Sequence, residues 1–373
     1  MAIELSCPPE PLSIAEVLHT LGTPDSTAAC DQQPYLVIPG NSGPRWLIPE
    51  PPRAAASVLS AWHPYDFSSR MKWFAVRMAA RAGVLKYSRS VSSVKLSRQS
   101  VLRWFELCGI PSSAGEMVIL VGNPSANRKL VTFLLDEARQ IAAVLKIGLS
   151  AGGGACVLRE ADVLGKLEQY SWAPKILSVH SEKWAAAQEY VHGSMPDREF
   201  RPGYMELLCN LPRSGGCKTL SAVAAEMFGR LSPLKDELDK MVPGLLDRAL
   251  DRLDFDHSVP TMLVHGDFSP WNIRRNPKVG DVLVDWERAD FAGLPAYDLL
   301  HFQFNDDLLF GEKAGGYSAI RSRPICAEYF RRMDLDAELL PRVAIAYLLD
   351  QLASDCQPEH AAYLLRQLAV ILD

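Results

Sequence analysis

Apolar positions along the chain recur at two spacings, and the changes between them divide it. Tyr35–Pro39 (YLVIP) and Arg45–Pro49 (RWLIP) are short β-like runs. Gly40, Asn41, Ser42, Gly43 and Pro44 separate them, which predicts a hairpin. Ala54–Trp62, Met71–Ala82 and Val101–Cys108 place apolar residues three and four apart, so each predicts a helix. From Met117 the run MVILVGNPSANRKLVTFLLD reads as strand, polar loop, strand, and Gln140–Ile147 reads as a third strand, giving a small antiparallel sheet. Gly152, Gly153 and Gly154 predict a break, after which Ala155–Gln169 predicts a helix with Val157, Ala161, Leu164 and Leu167 on one face. Trp184–Val191 returns to strand. Beyond it the pattern is helical over Tyr204–Leu211, Thr219–Phe228 and Lys235–Leu253, strand-rich over 260–287, and helical again to the end.

A chain of 373 residues predicts about two or three folding units. Residues 1–112, rich in Pro, Ser and aromatic side chains, read as an extension before the sheet, and its Trp62, Trp73 and Trp104 need burial. Hydrophobic residues at 48% and charged residues at 22% exclude a disordered, collagen-like or coiled-coil chain. With 39 Lys+Arg against 44 Asp+Glu the net charge is −5, which leaves no cationic excess for counterion release, so no nucleic-acid partner is expected. Eight scattered cysteines without a C-x-x-C pair predict reduced thiols. The start has no basic then apolar leader, and no apolar run reaches 18 residues, so a cytoplasmic protein without membrane insertion is expected.

Candidate chemistry concentrates in Thr261–Leu300. His265-Gly266-Asp267 with Asn272 five residues on reproduces the spacing of the kinase loop H-R-D-x-x-x-x-N, in which the Asp takes a hydroxyl proton and the Asn holds Mg²⁺. Val282–Val284 reads as a buried strand delivering Asp285, a second oxygen ligand of the kind Mg²⁺ prefers. Asp and Asn are common turn formers singly. Jointly, at this spacing and beside apolar strands, they mark a site.

The segments HGDFSPWN, VDWE and GLPAYDLL together resemble the aminoglycoside phosphotransferase/choline kinase family, small-molecule relatives of the protein kinases, over about residues 115–373. The resemblance implies an α+β, bilobal protein-kinase-like fold: a small antiparallel sheet lobe over 113–193 with a hinge near 188–193, and a mainly helical lobe over 194–373. Its catalytic loop would be 265–272 and its metal-binding segment 285–287. Gly266 stands where protein kinases place an Arg, Glu287 replaces the Gly of D-F-G, and no A-P-E follows. Control by activation-loop phosphorylation is therefore not expected.

Lys146 in Ala143-Val144-Leu145-Lys146 matches the V-A-I-K lysine that pairs the α/β-phosphates of ATP, and Glu160, fourteen residues on in the first turns of the following helix, is its candidate partner. In the loop GNPSANRK, Ser125 and Asn127 are candidate phosphate contacts. Backbone groups of 188–191, here Glu189 and Val191, would meet the adenine edge by position. By the same resemblance His265 and Asp298 brace the loop rather than react. Glu287, Asp290, Tyr297, Asp306 and Asp307 are candidate acceptor contacts. Such carboxylates would suit a cationic acceptor, an aminoglycoside or amino alcohol, while sugars and other hydroxylated metabolites stay open. The function implied is ATP- and Mg²⁺-dependent transfer to a small-molecule hydroxyl. A nucleotide-binding scaffold without transfer is the alternative from another class, and protein-kinase activity is disfavoured by the missing A-P-E.

Overall fold

The structure, a computed structural model, describes residues 12–22, 31–62, 64–65, 67–111, 115–310, 316–354 and 358–373. Cys7, Cys30, His63, Cys356 and the start of the chain lie outside the described residues. Cys108, Cys156, Cys209, Cys217 and Cys326 are free thiols. Among the described residues no helix is long and apolar enough to cross a membrane.

Two compact units form. One takes the described residues up to Met195 and adds Arg274–Glu287; the other takes Pro196–Ile273 and Arg288–Asp373. Residues up to 195 contribute strands β1 (Gln32–Gly40), β2 (Gly43–Pro49), β3 (Ser92–Ser97), β4 (Glu116–Val121), β5 (Lys129–Leu135), β6 (Ile141–Gly148), β7 (Ile176–His180) and β8 (Ala185–Glu189). Their helices are α1 (Ile14–Thr20), α2 (Ala56–Ala61), α3 (Phe67–Ala82), α4 (Arg98–Leu107) and α5 (Ala151–Lys166). Later strands are β9 (Arg213–Thr219), β10 (Ser258–Val264), β11 (Ile273–Asn276), β12 (Gly280–Leu283) and β13 (Asp290–Gly293). Later helices are α6 (Pro202–Cys209), α7 (Leu220–Leu231), α8 (Lys235–Met241), α9 (Leu245–Leu253), α10 (Tyr297–Phe310), α11 (Gly316–Ser322), α12 (Pro324–Met333), α13 (Leu340–Ala353) and α14 (Pro358–Leu372). The expected α+β class is borne out.

The sheet of the first unit has eight strands in the order β3-β1-β2-β4-β5-β6-β8-β7, every named pairing antiparallel. The hairpin β1–β2 forms as the sequence predicts, and it joins the small sheet as two of its strands. β2 pairs with β4 through Trp46↔Leu120 and Leu47↔Ile119, so the N-terminal residues and the small sheet are one folded body. The alternation of side chains explains why these strands read as nearly unbroken apolar runs. Tyr35, Val37, Leu47, Met117 and Ile119 bury on one face with Val101, Trp104 and Phe105 of α4. Leu36, Trp46, Ile48 and Val118 bury on the other with Val58 and Leu59 of α2 and Trp73 and Ala80 of α3. Trp46, Trp62 and Trp73 pack ring against ring, with centroids 4.8–6.0 Å apart, and Trp73 Nε1 donates to the Trp62 carbonyl at 2.8 Å.

Two readings of the sequence are corrected. Gly152, Gly153 and Gly154 do not break the chain; they are the opening turn of α5, capped by Ser150 Oγ accepting from Gly153 N at 3.0 Å. Their smallness serves packing. A Cβ at Gly153 would lie 2.2 Å from the Arg128 carbonyl and one at Gly154 2.5 Å from the Trp184 ring. Second, Lys235–Leu253 is not one helix, because α8 ends before Pro243 and Gly244, with φ at +66°, starts α9.

In the second unit β13-β10-β9 form a three-stranded antiparallel sheet among the helices. β10 ends at Val264 and hands the chain to the loop His265–Asn272. The ribbon of β11 and β12, whose exit is Asp285, belongs almost wholly to the first unit through Arg274–Glu287.

Candidate active site

Lys146 lies on β6, where Ala143, Leu145 and Ile147 turn into one core and Lys146 turns to the opposite face. There α5 packs, with Val157 and Ala161 against Ala186. The earlier start of α5 puts Glu160 in its third turn rather than its first, and its side chain reaches Lys146: Nζ donates to Oε1 at 2.7 Å and to Oε2 at 2.6 Å. Both side chains are almost wholly buried, which is tolerable for ions only when they are paired. Glu160 Oε1 also accepts from Trp286 N at 3.3 Å.

Asp285, in a left-handed conformation with φ at +70°, joins the same cluster. Lys146 Nζ donates to its Oδ1 at 2.6 Å, and Lys129 Nζ, from the start of β5, donates to that oxygen at 3.1 Å and also to Glu287. Burial alone would push the Asp285 carboxyl up; Lys146 and Lys129 outweigh it and hold the group well below the usual carboxylate range. Glu287 is pushed up, first by burial and then by its Asp285 neighbour. In the sequence Lys129 shows only as the last residue of the polar loop GNPSANRK. Its signal was the strand that begins with it.

In the second unit the loop after β10 is tied from below. Asp298, buried at the start of α10, accepts from His265 N at 2.7 Å and Gly266 N at 2.9 Å. Gly266 has φ at +79°, and a Cβ there would lie 2.4 Å from the Arg288 carbonyl, so the position admits no Arg for steric reasons alone. Asp267 Oδ1 accepts from Ser269 Oγ at 3.1 Å and meets His301 Nε2 at 3.0 Å. Asn272 Nδ2 donates to the Asp267 carbonyl at 3.0 Å, which leaves Oδ1 as the acceptor atom of that amide. His301, buried on α10, has Tyr347 OH 3.3 Å from its Nδ1. Asn305 Nδ2 reaches both Ser269 Oγ at 3.1 Å and His301 Nε2 at 3.3 Å.

Residues 130–350 match the model of the phosphotransferase enzyme family, more than half of the chain. The chain belongs to the phosphotransferase enzyme family. It is accordingly an enzyme of the small-molecule kinase type, and the resemblance carried by HGDFSPWN is borne out at that level. No curated protein matches this phosphotransferase. Solved structures similar to it include a streptomycin-ATP-APH(2")-IIa ternary complex, at 14% identity, TM-score 0.45, and coverage of 75% of this chain and 97% of that one. Choline kinase LicA from Streptococcus pneumoniae is similar at 14% identity and TM-score 0.45, covering 74% and 99%. Macrolide 2'-phosphotransferase MphH from Brachybacterium faecium is similar at 18% and 0.43, covering 72% and 98%.

The phosphotransferase carries a cavity of about 280 Å³ within its second unit, walled by Asp267, Trp271, Arg288, His301 and residues of α10, α13 and α14. None of the five side chains named for the acceptor from sequence lines it. Glu287 is drawn into the Lys129 and Asp285 cluster. Asp290 accepts from Ala292 N at 2.8 Å, Tyr297 OH donates to Asp350, and Asp306 faces Arg198 at 3.3 Å. Asp307 is buried and accepts from Gly316 N at 3.0 Å. In the polar loop Ser125 closes a turn by its carbonyl, accepting from Arg128 N at 3.2 Å. Asn127 Oδ1 packs 2.8 Å from where a Cβ at Gly152 would be. The Glu189 N–H donates to the Lys175 carbonyl at 2.8 Å, and Val191 is half-buried.

Proposed function

We propose that this phosphotransferase moves the γ-phosphoryl group of ATP to a hydroxyl of a small molecule, with Asp267 as the base. The observation that carries the reading is the Asp267 carboxylate on the cavity wall, with Ser269 and His301 directed at one of its oxygens. An acceptor hydroxyl in the cavity gives its proton to Asp267 as its oxygen bonds to the γ-phosphorus. The bond from that phosphorus to the β,γ-bridging oxygen breaks, and ADP leaves with the electron pair. Lys146, held by Glu160, positions the α- and β-phosphates.

The donor set suits Mg²⁺. Asp285 and Glu287 offer hard carboxylate oxygens, Asn272 offers an amide oxygen, and the Lys129 ammonium against the two carboxylates stands where positive charge is already favoured. By the spacing of the kinase loop, Asp285 in the one unit and Asn272 in the other would hold the ion, and Glu287 adds a carboxylate next to Asp285. The chemistry it supplies when bound is neutralisation of charge on the phosphate oxygens. A cytoplasmic setting belongs to the same reading.

Asp267→Asn keeps shape and removes the base. ADP release with Mg²⁺ and any accepted hydroxyl compound falls by at least about 10²-fold, while the thermal shift given by ATP and Mg²⁺ persists. Wild-type turnover in Asp267→Asn overturns the assignment. ATP and Mg²⁺ giving no shift in the parent protein favours the scaffold.

A further inference from the structure

We infer that the acceptor is a hydroxylated molecule with an apolar body about one ring in size and an anionic group, carboxylate or phosphate, bound by Arg288. This rests on the phosphotransferase reading above and narrows its acceptor. The first observation is the charge of the cavity wall. Among the described residues Asp267 is the sole carboxylate lining it, and the reading above gives that group to the reacting hydroxyl. A polycation would find no second anion there, and Arg288 would repel it. Asp350, close by, is already satisfied: its Oδ1 lies 2.6 Å from Arg230 Nη1 and its Oδ2 accepts from Tyr297 OH.

The second observation is Arg288 itself. Among the described residues its guanidinium makes no ion pair and a single long hydrogen bond, Nη2 to Ser354 Oγ at 3.4 Å. A guanidinium carries five N–H donors in a planar fork that matches the two oxygens of a carboxylate or phosphate, and a fork left this open on a cavity wall is a ready partner for one. His301 and His360, also on the wall, add no negative charge.

The third observation is shape and polarity. Trp271, Phe304, Tyr347 and Leu364 give the cavity an apolar side, and Phe304 stacks on Tyr347 with centroids 5.4 Å apart. About 280 Å³ lies at the lower end of ligand pockets, which run roughly 300–1,000 Å³. One ring fits within it.

The test is calorimetric binding to the full-length protein of ring-bearing hydroxy acids, para-hydroxymethyl benzoate and its homologues with longer acid arms. Each acid is compared with its uncharged amide, and with choline and an aminoglycoside. The expected result is that an acid binds at least tenfold more tightly than its amide, and that Arg288→Gln collapses the ratio to near one while Arg288→Lys keeps part of it. No binding by any acid, tighter binding of the aminoglycoside or choline, or an acid-to-amide ratio untouched by Arg288→Gln overturns the proposal. Should Arg288→Gln not fold, the acid-to-amide ratio of the parent protein decides alone. ADP release is read in parallel and separates the two levels of the reading. Release driven by cationic acceptors alone overturns the acceptor class and leaves the transfer reading standing. Tight acid binding without ADP release sustains the Arg288 site and sinks the transfer.

Discussion

His301 Nε2 stands 3.0 Å from Asp267 Oδ1, although 34 positions separate the two residues in the chain. With Tyr347 OH 3.3 Å from the other ring nitrogen, the imidazole is held at both ends and fixes the carboxylate that it touches. Such a positioning residue acts on the reacting geometry, where a displacement of about 1 Å can cost 10²-fold. His301→Leu is expected to lower kcat about 10- to 100-fold with the KM for ATP nearly unchanged, as read from steady-state ADP release. A normal kcat in that variant would mean that Asp267 needs no support from the ring.

Removing Lys146 leaves Glu160 charged, buried and without its ammonium partner. Breaking a buried pair from one side costs about 3–5 kcal/mol, whereas replacing both partners is far milder. Lys146→Met should therefore lose at least that much stability in urea unfolding, and adding Glu160→Gln should recover the share due to Glu160, while the share due to Asp285, which has also lost Lys146, stays lost. Equal stability of the single and double variants would show that the pair does not share its charge as drawn.

Acid sensitivity follows from Asp285. Its folded-state pKa lies below the ordinary carboxylate value of about 3.9, so its contribution is complete above that value and is lost as pH falls towards the folded-state pKa. Lys129→Met removes one of the two cations responsible. Stability at pH 7 should drop, and the further loss between about pH 5 and pH 3 should become shallower than in the parent protein. Parallel pH profiles for the two proteins would contradict this.

Gly266 and Gly244 both have positive φ, at +79° and +66°, but their surroundings differ. A methyl group at 266 collides with the Arg288 carbonyl, while at 244 nothing lies within 4 Å. Gly244→Ala should cost about 1 kcal/mol from conformation alone. Gly266→Ala should cost more, by about 1–3 kcal/mol of added strain, and should depress kcat through the loop that carries Asp267. Thermal unfolding and turnover measured side by side on both variants check the contrast.

Asp267, Asn272 and Asp285 were legible because their spacing is local to one segment, and Lys146 because a lone ammonium in an apolar strand invites a partner. His301 was not, since it sits among the apolar residues of α10 and nothing in LLHFQF marks which neighbour it meets. The strands β3 (SSVKLS) and β9 (RSGGCKT) are not legible because they are polar outer strands of their sheets, without the apolar runs that mark β4 to β6. The partners of the candidate acceptor carboxylates are hidden in the sequence for a related reason. Sequence shows that Asp306 and Asp307 are acidic but not that Arg198 and the N–H of Gly316 already claim them.

The return of Arg274–Glu287 to a unit otherwise finished by Met195 also sets an order of events during synthesis. Asp285 lies 139 residues after Lys146. At about 5–20 residues per second, a nascent chain carries Lys146 for roughly 7–28 s before Asp285 is made, with Lys129 and Glu160 already in place. Two lysines then share one carboxylate. The early chain is thus a sheet with an unbalanced charge at its centre, and synthesis of the Asp285 segment is the moment at which that sheet can lock.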